Sequence, residues 1–154
     1  MGLKEYYLTR SEYEIFEVQK QKILEGFSND GSAFRLVELG AGDGTKTKVL
    51  LTHFLEEQAN FTYAPIDISV NVLEQLSDDL KRSMPKLKVE ATQGDYFTAL
   101  TALKDNHNYK EVVLFLGSNI GNFSNREAHQ FLGRLSDSLT SGDLLFVGFD
   151  LMKD

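Results

Sequence analysis

Val37-Glu38-Leu39-Gly40-Ala41-Gly42-Asp43-Gly44-Thr45-Lys46 joins an apolar run to an amphipathic one through three closely spaced glycines. Glycines so placed permit positive φ and let a ligand approach the backbone, and a following helix presents its first N–H groups to the same place. The stretch therefore reads as a strand, a cofactor loop and a helix. A dinucleotide fingerprint needs G-x-G-x-x-G, but counted from Gly40 or Gly42 the last position holds Thr45 or Thr47. A phosphate-binding P-loop also fails, because no Gly-Lys-Ser/Thr closes the turn. Glu38 and Asp43 place negative charge where it would repel a pyrophosphate. An acidic loop of the E-x-G-x-G-x-G kind suits a cationic cofactor without phosphate, and S-adenosylmethionine (SAM), with its sulfonium and ammonium, meets that description.

Outward from the loop, periodicity predicts alternating strands and helices. Upstream, Thr9-x-x-Glu12 has capping-box spacing and predicts a helix from there to about residue 27, with Tyr13, Phe16, Ile23, Leu24 and Phe27 mostly on one face. Asn29-Asp30-Gly31-Ser32 breaks that helix, residues 35–39 form the first strand, and residues 45–57 the helix behind the loop. Residues 61–66 are a second strand ending in Asp67, and Ser69 caps a helix in which Leu73, Leu76 and Leu80 recur until Met84-Pro85. Strands over 87–92, 111–116 and 144–149 follow, with helical segments near 99–103 and after Ser124-Asn125-Arg126-Glu127, the last burying Phe131, Leu132, Leu135 and Leu139. The expected fold is a doubly wound, Rossmann-like α/β domain with five parallel strands in the order 3-2-1-4-5. Pro65 sits awkwardly in a strand meant for the sheet interior, so either pairing stops there or the strand is misplaced.

Open sheets of this kind bind ligands beyond the carboxyl ends of their strands. Glu38 to Gly44 follow the first strand, Asp67 ends the second, Asp95 and Tyr96 follow the third, and the loop with Asn119 and Asn122 follows the fourth. Asp67 can accept bonds from both ribose hydroxyls of a nucleoside, or it can simply favour the dipole of the Ser69 helix. Asp95 and Tyr96 can bond the adenine amino group and cover its ring, or they can form a Gly-Asp turn with a core tyrosine. Asn122 alone is equally well explained by turn chemistry, and Tyr6-Tyr7 alone are better explained by a hydrophobic staple leading into the helix at Thr9.

Taken together, Tyr6-Tyr7-Leu8-Thr9-Arg10, Glu38-Leu39-Gly40-Ala41-Gly42, Pro65-Ile66-Asp67-Ile68-Ser69, Gly94-Asp95-Tyr96, Leu116-Gly117-Ser118-Asn119-Ile120-Gly121-Asn122-Phe123 and Asp150-Leu151-Met152-Lys153-Asp154 resemble the successive motifs of the histidine-specific SAM-dependent methyltransferases. This family includes the ergothioneine-pathway enzyme that trimethylates the histidine α-amine. The resemblance implies that Gly40, Lys46, Asp67, Asp95 and Tyr96 touch SAM, beside Glu38 and Gly42 of the loop, and that Tyr7, Gly117 and Asn122 face the amino-acid acceptor. Gly-Asp-Tyr departs from the family's usual Gly-Asp-Phe but keeps the ring. Family members are longer, so the resemblance further implies a core fragment of one SAM-binding domain over residues 1–154. It would lack the last two strands of the sheet and part of the acceptor pocket, and alone would show no more than trace methylation.

The rest of the composition narrows the partners. A net charge of −7 over 154 residues disfavours a broad nucleic-acid surface. No apolar run approaches the ~20 residues of a membrane span, and the lack of cysteine rules out disulfides and thiolate metal sites. His53, His107 and His129 have no ligand spacing, so no metal is expected, and a cytoplasmic location follows by default. A small amine is the expected partner, histidine or a related amino acid by the resemblance. A non-catalytic SAM-binding or assembly module and a nucleotide-dependent oxidoreductase are the rival readings. Residues 144–149, apolar at nearly every position yet last in the strand order, predict self-association as a two-fold dimer along an open edge.

Overall fold

The computed structural model describes residues 3–28, 31–105, 109–116 and 123–148, and of residues 3–9, 100 and 103–105 the backbone alone. Its elements are α1 (Leu3–Phe27), β1 (Phe34–Leu39), α2 (Thr47–Glu56), β2 (Phe61–Asp67), α3 (Val70–Ser83), β3 (Thr92–Gln93), α4 (Tyr96–Asp105), β4 (Lys110–Phe115), α5 (Asn125–Ser138) and β5 (Leu144–Val147). All strand pairs are parallel and the order is β3-β2-β1-β4-β5, as the alternation predicts. Central β1 is buried at every position, as a parallel strand covered on both faces should be. On one face Phe34, Leu36, Val112 and Leu114 pack with α1, α2 and α3; on the other Val37, Leu39, Val113 and Phe115 pack with α4 and α5. None of the described helices is long and apolar enough to cross a membrane.

Pro65 turns out to interrupt one side of its strand only. In parallel pairing successive residues point their N–H and C=O groups to opposite neighbours. Tyr63 bonds toward β3, donating to Lys88 O and accepting from Glu90 N, whereas Ile66 O accepts from Gly40 N on the β1 side. Pro65, two residues after Tyr63, therefore turns its missing donor toward β3. The expected strand over 87–92 accordingly breaks into a single bridge at Val89 and the two-residue β3, while the β1 ladder runs through Pro65 opposite Glu38 without a gap.

Helix α1 corrects another expectation. It begins at Leu3, so Thr9 and Glu12 lie inside it and form no capping box; the box expected at Ser124 and Glu127 is present. The end of α1 lies at the amino ends of the strands, where Phe27 O accepts from Lys110 Nζ at 2.6 Å and the Phe27 ring packs on Phe34. The helix then runs antiparallel to the sheet, placing Phe16 against Phe146. Twenty-five residues of helix span about 37 Å, whereas a strand such as β2, with seven residues, spans about 20 Å. The first turns of α1 therefore project past the carboxyl ends of the strands.

Three burial expectations also change. Tyr13 and Leu132 are exposed rather than buried, because the faces of α1 and α5 that meet the sheet are narrower than their apolar stripes. β5 is only half-buried, and Leu145 is 37% exposed, since helices cover this edge strand incompletely.

Candidate functional site

The glycine loop leaves β1 with Gly40, Gly42 and Gly44 all at positive φ, the conformation for which glycine is chosen. A Cβ at Gly44 would press to 2.8 Å on Leu76 Cδ1 of α3, so this glycine lets the loop lie flat on that helix. A Cβ at Gly42 would meet nothing, so the backbone there opens to solvent. The loop's own donors are largely spent. Gly40 and Ala41 N–H donate to Ile66 O, Gly44 N–H to Ala41 O, Thr45 N–H to Asp43 Oδ1, and Gly42 N–H to Asp67 Oδ2 at 3.2 Å. A phosphate cradle needs such amides free. This loop instead uses them to fix its shape, and the Thr45 N–H holds the Asp43 carboxyl below its usual range.

The charges after the loop are paired as well. Lys46 Nζ donates to Glu12 Oε1 of α1 at 2.6 Å, with both side chains mostly buried, and Lys48 pairs with Asp79 of α3. No side chain caps α2.

Asp67 ends β2 beside the loop. Its Oδ1 accepts from Ser69 N–H at 3.0 Å and its Oδ2 from Gly42 N–H, so the carboxylate ties the second strand end to the loop. A carboxylate oxygen has further lone pairs, so each can still accept from a ligand hydroxyl. Asp95 follows β3 and accepts from Thr98 N–H at 2.8 Å, capping α4; these bonds lower its pKa. Asp95 thus has a structural role, as a helix cap rather than the simple turn residue weighed for it, and that role does not preclude a ligand contact. Tyr96 is half-buried against Phe115 and Phe131. Burial raises its hydroxyl pKa and the negative charge of Asp67 raises it further, which places the two groups in one electrostatic neighbourhood. Ile68, 72% exposed, adds an uncovered apolar surface next to Asp67.

Glu38 is the least expected member. It is 3% exposed and points into the protein, where Tyr63 Oη donates to its Oε1 at 2.5 Å. Burial raises its pKa from 4.5 to about 7, against the opposing pull of the Tyr63 and Thr47 hydroxyls and the Lys46 charge. Thr47 Oγ1 is itself buried with no full hydrogen bond among the described residues. Glu38 therefore supports the loop from beneath.

On the acceptor side, position 7 of α1 lies on the overhanging turns, but the Tyr7 side chain, Gly117 and Asn122 are outside the described residues. Sequence reasoning missed Glu12, Tyr63 and Thr47. Glu12 resembled a cap and Tyr63 and Thr47 resembled core, and no local signal pairs any of them with its partner.

A family model described as histidine-specific, SAM-dependent methyltransferase matches residues 1–154. The chain is 34% identical to the histidine N-alpha-methyltransferase of Mycolicibacterium smegmatis, across 99% of its own length and 46% of that protein's. It is 29% identical to ergothioneine biosynthesis protein 1 of Schizosaccharomyces pombe, across 97% of its own length and 20% of that protein's. The chain thus spans less than half the length of these curated relatives. A crystal structure of a SAM-dependent methyltransferase from Clostridium acetobutylicum superimposes with a TM-score of 0.54 at 14% identity, covering 83% of this chain and 48% of that one, a likeness of fold alone.

Proposed function

The chain belongs to the family of histidine-specific, SAM-dependent methyltransferases, and from that premise we propose that it is the cofactor-binding part of an enzyme that methylates the α-amine of histidine or a closely related amino acid. The observation that carries the cofactor reading is the spent amide set of the glycine loop, with Asp67 bonded to Gly42 N–H in the middle of it. A loop whose amides are used internally suits a nucleoside cofactor without phosphates. Both a dinucleotide oxidoreductase and an ATP site lose support from the same bonds.

In this reading Asp67 accepts the ribose hydroxyls, Gly40 and Gly42 let the cofactor lie close to the backbone, and Lys46 answers its carboxylate. Asp95 and Tyr96 flank the adenine, with Ile68 as an apolar face for the ring. Bound SAM supplies a methyl group activated by the sulfonium. The chain's own part is alignment and exclusion of water, since a neutral amine needs placement more than a strong base. Tyr7, Gly117 and Asn122 are the proposed acceptor contacts. The rival of a non-catalytic SAM-binding module predicts the same cofactor affinity with no methyl transfer in the full-length protein.

Calorimetry with SAM and with NAD tests the cofactor. SAM should bind in preference, and Asp67→Ala should weaken it by roughly tenfold to a hundredfold, the loss of bonds to a charged acceptor. Unchanged affinity in that variant refutes the assignment.

Self-association of the isolated chain belongs to the same proposal. The outer edge of β5 has no strand partner among the described residues, and an open apolar edge pairs readily with a second copy. Sedimentation should show a dimer that Val147→Lys dissociates; a wild-type monomer at high concentration contradicts this.

A further inference from the structure

Glu12 stands at a junction that the proposed cofactor contacts do not include. Its helix carries it to the carboxyl ends of the strands, and its carboxylate meets two separate pieces of the sheet's rim. Oε1 accepts from Lys46 Nζ at the end of the glycine loop. Oε2 lies so close to Gly148, just after β5, that a Cβ built there would overlap it, and the same Cβ would lie 3.5 Å from Leu116 Cα just after β4. Gly148 N–H in turn donates to Phe115 O at 2.9 Å, so the backbone that receives Glu12 is itself fixed. A carboxylate lodged in this way is a rigid anchor for whatever it binds.

What it binds is a lysine on the ligand side of the molecule. Of the two lysines that close the loop, Lys48 turns to Asp79 of α3 and Lys46 to Glu12 at the strand ends. SAM ends in an amino acid, and its carboxylate needs a cation beside Asp43, Asp67 and Asp95, the acidic groups that follow the first three strands. A lysine carries three donors on a stem of four methylenes with much rotamer freedom to lose. Glu12 takes one donor and with it most of that freedom.

We propose that Glu12 is a positioning residue for the cofactor: its carboxylate holds the Lys46 ammonium at the end of the glycine loop, where that ammonium receives the carboxylate of the methionyl group. The inference rests on the SAM reading above. It also links the two halves of the site, because Glu12 lies five residues along α1 from Tyr7, about 7.5 Å of helix. A single ion pair then joins the segment proposed to face the acceptor with the loop proposed to hold the cofactor.

The test compares two ligands by calorimetry on the whole chain: S-adenosylhomocysteine, which has the amino-acid end, and 5′-deoxy-5′-methylthioadenosine, which keeps adenine and ribose and lacks it. Glu12→Ala should weaken the first by on the order of tenfold and leave the second unchanged. Glu12→Gln, which keeps the shape and one acceptor, should fall between. Lys46→Ala should show the same selective loss, and adding Glu12→Ala to it should cost nothing more. Equal weakening of both ligands would mean a merely structural role. No change, or tighter binding of the first ligand once Glu12 is gone, would equally overturn the proposal, the latter by showing that Glu12 competes for Lys46. Wild-type protein that binds neither ligand overturns the SAM reading itself.

Discussion

Glu111→Ala is expected to destabilise the chain by about 3 kcal/mol or more, the cost of leaving a buried charge without its partner. Arg35 and Glu111 face each other across the β1–β4 ladder at the amino end of the sheet. Both side chains are nearly buried, with Arg35 Nε donating to Glu111 Oε2 at 2.9 Å and Nη2 to Oε1 in a two-pronged pair. Glu90 comes only within 3.8 Å of Arg35 Nη1 and is largely exposed, so it can replace little of what Glu111 supplies. The pair itself is worth less than its rupture. Its Coulombic gain is set against the desolvation of two ions, so replacing both with leucine should recover most of the loss. Urea denaturation of the single and double variants decides the matter. A single variant within about 0.5 kcal/mol of wild type would show that water reaches Arg35.

The same pair shows where sequence reasoning stops. The alternation of apolar runs and capped helices determines five strands and their order, because parallel strands joined by helices admit few arrangements. It does not determine register, and Arg35 meets Glu111 only because β1 and β4 align in one register of several. Pro65 was recognisable as an irregularity, but which neighbour it faced depended on the parity of its ladder, a property of the folded sheet. Thr9 and Glu12 matched a capping box that the backbone does not use, since helix continues upstream to Leu3 and tertiary packing fixes where α1 begins. The position of Gly40, Gly42 and Asp67 at adjoining strand ends was legible from spacing, because a loop at a strand end leaves their placement little choice. Glu38 was legible as a loop carboxylate but not as a buried one, since its environment comes from Tyr63 on the neighbouring strand and Thr47 on α2.

That environment leads to the second large effect, a dependence of stability on pH that Glu38→Gln should remove. The folded state raises the Glu38 pKa from 4.5 to about 7, chiefly by burying it. A carboxyl with a raised folded pKa binds its proton more tightly in the native state than in the unfolded chain. Its contribution is therefore complete below pH 4.5 and is lost as pH rises through 7. A shift of this size corresponds to about 3 kcal/mol between those limits. Above pH 7 the ionised carboxylate stays buried, with the Tyr63 hydroxyl as donor, the Thr47 hydroxyl at hand and the Lys46 ammonium attracting it. Glutamine keeps an acceptor for Tyr63 and carries no charge. Other titrating groups contribute alike to both proteins, so the measurement is the difference in unfolding free energy between wild type and Glu38→Gln at each pH. That difference should move in favour of the variant by about 3 kcal/mol from pH 4.5 to pH 8. Two curves that stay parallel over the range would mean that Glu38 ionises without penalty, and that the floor of the glycine loop is wetter than its burial indicates.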